Sequence, residues 1–424
     1  MTNVATGEVQ KGRWSTPRVL YTWAGLIIAL LALCGLLSFI SVQALSSTGD
    51  RIQNSTGPVL ISTQGLVASI AEADAANTAV FLSGIDGGDE DVSQRTLYES
   101  ALARAPEQIE DISAGIGDDT VTHDALKDVA QQLTEYSGVV EQARLSNANN
   151  LPGANGLLTD SLDLSGGTNG MLTNANEVSE RTRNQFTDDL NAGSGRVFLS
   201  VILLAITLLV LLVAQARLQK LTHRRVNRGL VVATVCVIVL GVWLGGATIL
   251  RSNDLSNARD RGFRDIQITA ELQTAAFEYK TAETNAIIGE NAGALPDPSI
   301  VENIRNQLAT LRNVADTDRE RAQADAVTAR WESYFDVSSL IAGAVNANNF
   351  DNARALVAGD GNQNFTGFNT TAEALVLANQ DQFNNSVANA TARLNWLSFA
   401  TILLPLLGAA AAWFGYRPRI NEYY

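Results

Sequence analysis

The apolar run VFLSVILLAITLLVLLVAQA, residues 197–216, is followed by the basic segment RLQKLTHRRVNR, residues 217–228, and then by a second apolar run, GLVVATVCVIVLGVWLGGATIL, residues 229–250. Neither apolar run contains Asp, Glu, Lys, Arg or His. Each holds the roughly 20 residues that a helix needs to cross the hydrocarbon core of a bilayer. The three segments therefore predict two membrane spans that are joined by a short basic link.

Two further uncharged runs predict a first span at residues 19–43 and a fourth at residues 394–416. The first run is longer than the apolar core of a signal peptide, so we expect it to be retained as a span. Long polar segments separate the first span from the second and the third from the fourth. Because ionisable groups inside spans usually mark ion or substrate routes, their absence argues against a pump, carrier or ion channel.

The N-terminal tail, the link between the second and third spans and the C-terminal tail are short and basic. Both long polar segments are acidic and account for the net charge of −14. Short basic flanks stay in the cytoplasm, so we predict a multi-pass protein of the cytoplasmic (inner) membrane with both termini inside. The acidic exterior argues against nucleic acid as a partner and leaves the lipid bilayer as an expected one. The predicted segments are a cytoplasmic tail (1–18), TM1 (19–43), extracytoplasmic bundle 1 (44–195), TM2 (196–216), a basic cytoplasmic link (217–228), TM3 (229–250), extracytoplasmic bundle 2 (251–393), TM4 (394–416) and a cytoplasmic tail (417–424).

The chain reads as a tandem duplication of one unit composed of a span, a polar domain and a span. Residues 66–84 align with residues 272–290 at an offset of 206, and later matches occur at slightly smaller offsets. An ordered succession of matches along the chain is the signature of a repeat. The matched pairs are Glu72 with Glu278, Thr78 with Thr284, Tyr136 with Tyr334, Phe186 with Phe383 and Arg196 with Arg393.

Each polar domain is predicted to be a helical bundle. Apolar residues recur every three or four positions, from Leu66 to Phe81 in the first domain and from Ile304 to Ala315 in the second. Glycine-rich runs and prolines, including Pro106, predict breaks that leave about four helices per domain. Both cysteines, Cys34 and Cys236, fall inside spans, so we predict domains without disulfides. The predicted fold class is an all-α membrane protein with four transmembrane helices and two tandem extracytoplasmic helical-bundle sensor-like domains.

The sequence contains no constellation typical of catalysis, metal binding or cofactor binding. Its two histidines are His123 and His223, and no zinc spacing, nucleophile motif or phosphate-binding loop occurs. The acidic run at residues 86–91 lacks the ligand order of a calcium loop, which favours a solvated turn. We therefore predict no enzyme, no metal and no cofactor. Small residues, namely Gly241, Gly245 and Gly246 in the third span and Gly408 with the alanine run 409–412 in the fourth, predict close contact between these spans.

The candidate functional residues lie in the basic link and in the tail RPRINEYY, residues 417–424. The basic residues suit topology setting and attraction to anionic lipid, or the docking of a cytoplasmic protein. The two terminal tyrosines suit docking or simple anchoring at the interface. Residues of an extracytoplasmic partner site are not predicted. The candidate docking residues are Arg217, Lys220, Arg224, Arg225, Arg228, Arg417, Arg419, Tyr423 and Tyr424.

The duplicated span–bundle–span layout, the short basic link and the closing RPRINEY resemble the actinobacterial GlnX-type four-span membrane proteins. The layout covers the whole chain, whereas the motif is confined to the tail. That family belongs to a pathway with a glutamine/glutamate-binding lipoprotein outside and the Ser/Thr protein kinase G inside. The resemblance implies that this chain relays amino-acid availability from an extracytoplasmic solute-binding lipoprotein to a cytoplasmic Ser/Thr protein kinase.

Two alternatives from other classes remain open. A passive scaffold or assembly protein of the cell envelope would use the same bundles without any ligand-dependent change. A direct sensor of chemoreceptor type would bind a small ligand between bundle helices. Recovery of partners from the native membrane, with and without glutamate or glutamine, distinguishes the relay from the scaffold.

Overall fold

The computed structural model describes residues 16–85, 88–191, 194–222 and 227–421. Every regular element in these ranges is helical, which confirms the predicted all-α class. The chain divides into two compact units, which we describe separately. The span unit comprises Met1–Gly49, Asn191–Asn253 and Asn389–Tyr424, and the bundle unit comprises Asp50–Leu190 and Asp254–Ala388.

Thirteen α-helices occur within the described ranges. Three π-helical turns, at Ile52–Thr56, Ala258–Phe263 and Val357–Gly361, adjoin helices. The third contains a kink, since Gly359 has the non-helical dihedral angles φ −92° and ψ −105°. The helices are α1 (Thr16–Arg51), α2 (Gly57–Ser83), α3 (Val92–Gly115), α4 (Thr120–Ala148), α5 (Ala154–Gly166), α6 (Met171–Asn191), α7 (Ser194–Thr222), α8 (Arg228–Asn257), α9 (Arg264–Ile288), α10 (Pro298–Val314), α11 (Asp318–Asn346), α12 (Phe350–Leu356) and α13 (Asn362–Asn421).

Four helical segments of the described chain are long and apolar enough to cross a membrane, as the sequence predicts. They lie within Tyr21–Ser83, Val197–Gln219, Arg228–Ile288 and Phe350–Pro418. Their inward faces share an apolar core that includes Ile27, Leu211 and Leu240. Leucine, valine and aromatic side chains are exposed on their outward faces. Such an exposed apolar surface is typical of helices that face lipid.

The close contacts of the span unit match the prediction only in part. A Cβ atom added at Gly408 would lie 3.7 Å from Cβ of Cys236 in α8, as a contact between the third and fourth spans requires. A Cβ atom added at Gly241, Gly245 or Gly246 would meet no other atom within 4 Å. A Cβ at Gly35 would instead lie 3.0 Å from Cβ of Pro405. At Gly229 the added atom would lie 2.2 Å from the Ala411 carbonyl oxygen. The prediction for the three α8 glycines was wrong because composition shows where a side chain is missing but not which face of the helix meets a neighbour.

The bundle unit contains more helices than the glycine and proline breaks predicted. In the first bundle, the short helix α5 begins within the predicted break at residues 153–156. Gly153 adopts φ +96°, and Leu158 then packs into the core. In the second bundle, α12 occupies the corresponding place. Pro106 lies inside α3 rather than at a break, on an exposed position where it adds no bulk to the core.

Local structure repeats between the two bundles in the way that a duplication predicts. Helices α4 and α11 both contain 29 residues. Asp119 caps the first and Thr317 caps the second. Each of these two helices is followed, two residues after its end, by an asparagine in the left-handed region: Asn150 with φ 54° after α4 and Asn348 with φ 56° after α11. A π-helical turn precedes both α2 and α9. These matching signals support the duplication beyond sequence similarity alone.

Helices α2 and α9 join the two bundles into one unit. Helix α2 is buried on nearly all its faces, which is expected of a helix that packs against neighbours on both sides. Ala71 and Ala75 belong to the same apolar cluster as Leu272 and Ala276 of α9. Small side chains at these positions let the two backbones approach closely. The two bundles therefore share a continuous core.

Candidate functional site

The structure describes only part of the predicted docking surface. Arg217 is exposed on α7, and its guanidinium carbon lies 5.3 Å from the ring centroid of Trp23. Arg228 begins α8 and Arg417 lies near the end of α13, and both are exposed. The remaining predicted residues are outside the described residues or have side chains that the structure does not describe: Lys220, Arg224, Arg225, Arg419, Tyr423 and Tyr424.

The end of the link contacts the end of the fourth span directly. The Asn227 amide nitrogen donates to the Gly415 carbonyl oxygen at 2.9 Å, and the Gly229 backbone nitrogen donates to Asn227 Oδ1 at 3.1 Å. Only glycine fits at position 229, because of the nearby Ala411 carbonyl. These contacts bring the start of α8, with Arg228, against the end of α13, which carries Arg417.

The bundle unit contains a polar network that crosses from one bundle to the other. Glu72 of α2 is 9% exposed, and its Oε2 accepts from Arg104 Nη2 of α3. Its Oε1 accepts from Asn369 Nδ2 of α13 at 3.3 Å. Asn369 Oδ1 in turn accepts from Gln273 Nε2 of α9 at 2.9 Å. One buried carboxylate is therefore bonded to both bundles.

The electrostatics of this network depend on burial. Burial raises the pKa of Glu72 above its ordinary value, while the charge of Arg104 acts in the opposite direction. The nearby carboxylate of Glu373 also raises that pKa. Glu72 is therefore influenced by one arginine and by a second carboxylate. Any change in the relative position of the bundles alters the number of groups that stabilise the Glu72 charge.

A cavity of about 130 Å³ adjoins the network, between α2, α3, α9 and the start of α13. Its polar lining comes from both bundles, and Phe277 and Phe365 supply apolar walls. The polar lining residues are Glu72, Gln94, Arg104, Lys280, Asn362, Thr366, Asn369, Thr370 and Glu373.

Lys280 is the most unusual group in this lining. Its side chain is 2% exposed, and among the described residues its Nζ has no hydrogen-bond partner. Nζ lies 5.6 Å from the ring centroid of Tyr334 and 5.7 Å from that of Phe365. Burial lowers the pKa of the Lys280 ammonium, while the carboxylates of Glu283 and Asp91 oppose that shift. Aromatic faces attract a cation but do not replace hydrogen bonds to it.

Glu283, one helical turn beyond Lys280, is also buried but is well bonded. Its Oε2 accepts from the Tyr334 hydroxyl at 2.8 Å, and its Oε1 accepts from Ser338 Oγ. Burial raises the pKa of Glu283, whereas the charge of Lys280 and these two hydrogen bonds lower it. Neither oxygen accepts a hydrogen bond from Lys280 Nζ, which has no such partner among the described residues.

The repeat places Asp74 of the first bundle at the position of Lys280 in the second, at the offset of 206. Asp74 is 6% exposed and accepts from Ser165 Oγ. Burial raises the pKa of Asp74 to about 7. The two bundles therefore carry buried ionisable groups of opposite charge at equivalent positions, and only Lys280 lines the cavity.

The sequence contained a signal for these residues that our reading did not use. Glu72, Asp74, Lys280 and Glu283 lie within alanine-rich helical stretches whose other residues are mostly buried. A charged residue in such a stretch is a candidate for burial, because α2 and α9 have no polar face wide enough to hold it. The sequence did not predict which helices of the other bundle would cover the second face of α2 and of α9.

A second, more open groove of about 420 Å³ lies between α10 and α11. Arg312 in this groove pairs with Asp325 at 3.0 Å, and the Arg305 guanidinium carbon lies 5.1 Å from the ring centroid of Phe335. Its charged groups are half-exposed and partly paired already. The inter-bundle cavity is therefore the better candidate site.

Two family models match the chain, one in each polar segment. Residues 48–191 match the actinobacterial sensor domain. Residues 270–394 match the four helix bundle sensory module for signal transduction. Neither a curated protein nor a solved structure matches the chain significantly.

The two matches fall on the two bundles that the structure joins through α2 and α9. They support an actinobacterial sensor or signal-transduction protein. Both families are sensory, which suggests a non-enzymatic sensor that interacts with signalling partners. Together with the four apolar helices, they describe a multi-pass membrane protein with two sensory bundles.

Proposed function

We propose that the protein is a transmembrane transducer that relays glutamate- or glutamine-type amino-acid availability from an extracytoplasmic solute-binding lipoprotein to a cytoplasmic Ser/Thr protein kinase. The observation that carries the transducer role is the bonding of one buried carboxylate, Glu72, to Arg104 in one bundle and to Asn369 in the other. A binding event that changes the packing of α2 against α9 changes this network.

Continuous helices provide the route for transmission. The helical backbone of α2 continues through the turn Ile52–Thr56 into α1, and that of α9 continues through Ala258–Phe263 into α8. Small translations or rotations of packed helices are a known way to carry a signal. The loaded lipoprotein must bind one setting of the bundles more tightly than the other, since a ligand with equal affinity for both shifts nothing.

The proposed binding surface for the kinase consists of the link and the tail. Their basic residues favour a cytoplasmic location for both segments. The hydrogen bond from Asn227 joins the link to Gly415 at the end of the fourth span, just before the tail, so we expect a displacement of α8 against α13 to move both the link and the tail. Arg217, Arg228 and Arg417 are exposed there as candidate contacts for the kinase. The bundles between residues 44–195 and 251–393 would then lie outside.

The test is affinity purification of the full chain from its native membrane, with and without extracellular glutamate or glutamine. We expect a solute-binding lipoprotein and a Ser/Thr kinase to co-purify in amounts that change with the amino acid. Partners whose recovery ignores the amino acid would overturn the relay and favour the passive scaffold.

A matched pair of variants tests the docking surface. Changing Arg217, Arg228 and Arg417 to lysine keeps the charge that sets topology, whereas changing them to glutamine removes it. Arginine contacts with carboxylates are planar and bidentate, which lysine does not reproduce. We expect both triple variants to lose kinase recovery while remaining in the membrane. Full recovery with the lysine variant would mean that these residues act only as charges near the lipid.

A further inference from the structure

The inter-bundle cavity contains a cation whose hydrogen-bonding capacity is unused. Lys280 Nζ is buried, and it has no hydrogen-bond partner among the described residues. A buried ammonium group without hydrogen bonds is costly, and native proteins rarely keep one without a function. Helix α9 is rigidly packed here, and the flanking rings of Tyr334 and Phe365 limit the directions in which the ammonium group can turn.

A second unused group lines the same cavity. Asn362 donates from Nδ2 to Asp91 Oδ2 at 3.3 Å, which fixes the orientation of its amide. Its Oδ1 is buried and accepts no hydrogen bond from any described residue. The cavity lining therefore includes one donor that needs an anionic or carbonyl acceptor and one acceptor that needs a donor.

The other side of the cavity has an excess of negative charge. Arg104 pairs with Glu72, and the Glu373 carboxylate lies near enough to raise the pKa of Glu72. Lys280 contacts Phe365, and Glu72 is bonded to Asn369, which lies one helical turn further along α13. That turn corresponds to a rise of about 6 Å. Asn362, bonded to Asp91, lies about one turn before Phe365 on α13, and Lys280 also has Asp91 as a nearby carboxylate. The unused Lys280 Nζ and the unused Asn362 Oδ1 therefore lie at the same end of the cavity.

We propose that this cavity binds a small zwitterion with the chemistry of a neutral α-amino acid. Its carboxylate accepts from Lys280 Nζ, and its ammonium group donates to Asn362 Oδ1. A cavity of about 150 Å³ holds a molecule the size of benzene, so the 130 Å³ available here fits about six heavy atoms, as in L-alanine. Phe277, Leu97 and Ala76 leave an apolar wall for a short side chain.

This ligand contacts both bundles at once. Lys280, Asn362 and Glu373 belong to the second bundle, whereas Glu72 and Gln94 belong to the first. Occupation would therefore stabilise one packing of α2 against α9. The chain would respond to a small molecule without the extracytoplasmic partner proposed above, so this site stands independently of the lipoprotein and the kinase.

The experiment is isothermal titration calorimetry on the purified full chain in lipid nanodiscs, without any partner protein. The probes are L-alanine and L-serine, with propionate and L-aspartate as comparisons. We expect the two neutral amino acids to bind, and propionate and L-aspartate to bind at least tenfold more weakly. Absence of binding up to about 10 mM for L-alanine and L-serine would overturn the proposal.

Variants assign the binding to this cavity. Lys280→Met removes the cation, and Ala76→Leu fills the cavity without changing any charge. We expect both to abolish binding, and Asn362→Leu to weaken it about tenfold, because it removes the acceptor for the ligand ammonium group and hydrogen bonds to charged groups are the strong ones. Asp74→Asn is the matched control, because it changes the equivalent buried position outside the cavity and should leave binding intact.

The outcomes separate this proposal from the relay. Binding that survives both Lys280→Met and Ala76→Leu would place the site elsewhere and overturn it. Equal affinity for propionate and L-alanine would overturn the zwitterion assignment. Circular dichroism and size-exclusion profiles of each variant show whether it is folded, and Ala76→Leu keeps the test valid if Lys280→Met does not fold. Failure of amino-acid-dependent partner recovery would not affect the calorimetry of the isolated chain.

Discussion

The aromatic rings of Phe186 and Phe383 lie with their centroids 5.9 Å apart in the bundle unit. These residues occupy the same position in the two copies of the duplicated sequence, and Phe263 completes the cluster at 5.5 Å from Phe186. A residue that contacts its own counterpart is the mark of a twofold arrangement, in which one surface patch meets its copy. The two bundles therefore associate within one chain as two subunits do in a symmetric dimer.

Truncation of either phenylalanine should destabilise the bundle unit. Both side chains are 1% exposed, so Phe186→Ala and Phe383→Ala should each lower the free energy of unfolding by about 3–5 kcal/mol. The double variant should lose less than the sum, because the two rings share one contact. Trp331 is the only tryptophan of the bundle unit, so its fluorescence reports unfolding once the other tryptophans are changed to phenylalanine.

The additivity control pairs Phe186→Ala with Leu308→Ala. Leu308 packs in the cluster of Trp331, away from the Phe186–Phe263–Phe383 cluster. These two changes should therefore be additive. Full additivity of Phe186→Ala with Phe383→Ala would contradict a shared contact between the bundles.

Loss of the Asn369 amide should weaken the network between the bundles. In Asn369→Ala, Glu72 keeps Arg104 but loses its donor from the second bundle. A buried acceptor left with fewer partners costs about 1–2 kcal/mol of stability. Asn364→Ala is the matched control on the same helix, since its amide bonds only to the Asp360 carbonyl. Equal stability of the two variants in urea unfolding would argue against a bundle-to-bundle role for Glu72.

Buried aspartates should make the bundle unit less stable as the pH rises. Burial raises the pKa values of Asp74 and Asp265 to about 7 in the folded state, against 3.8 for the exposed group. Their contribution is fully present below pH 3.8 and is lost progressively as the pH rises to about 7. The loss is at most about 4 kcal/mol per group.

Asparagine substitutions isolate this effect. Asp74→Asn and Asp265→Asn should each flatten the dependence of unfolding free energy on pH between 4 and 8 and should be more stable than the wild type near pH 8. Asp128→Asn, on an exposed position of α4, should leave the dependence unchanged. A wild-type chain that gains stability from pH 5 to pH 8 through Asp74 would show that the sign is wrong.

More of the fold than of the candidate site could be predicted from the sequence. Spans, helices and the duplication follow from patterns that repeat along the chain, such as the uncharged runs and the pair Tyr136 and Tyr334. The prediction of close contacts at the α8 glycines was wrong, because a missing side chain does not reveal which face of the helix a neighbour covers. The cavity could not be predicted, since Lys280 and Glu72 meet only through the packing of two bundles that are distant in sequence.

Removal of the buried Glu283 carboxylate should cost more than removal of one of its donors. Glu283→Ala leaves the Tyr334 hydroxyl and Ser338 Oγ without that acceptor and leaves Lys280 without its nearby opposite charge. We expect a loss of about 3 kcal/mol, against about 1 kcal/mol for Tyr334→Phe. Urea unfolding of both variants at pH 7 measures the difference. A Tyr334→Phe variant that is the less stable of the two would show that the carboxylate is not well stabilised.

Substitution of glycine by alanine should destabilise the span unit at Gly229, where the backbone of α13 is close, but not at Gly241, where the space is open. In Gly229→Ala the new Cβ would lie 2.2 Å from the Ala411 carbonyl oxygen and 2.6 Å from the Gly415 Cα, both backbone atoms. The start of α8 must then move from α13, which strains the Asn227 contact with Gly415. Overpacking of this kind costs about 1–3 kcal/mol. Gly241→Ala meets nothing within 4 Å and should be neutral or slightly stabilising, as alanine is the better helix former.

Thermal unfolding of both glycine variants in nanodiscs measures stability, and recovery of the kinase measures signalling. Gly229→Ala should lower the melting temperature and alter kinase recovery, because Arg228 and Arg417 depend on this junction for their relative position. Gly241→Ala should change neither. If Gly229→Ala lowers the melting temperature but leaves amino-acid-dependent recovery of the kinase intact, the junction between link and tail is structural only, and the kinase must read another part of the cytoplasmic face.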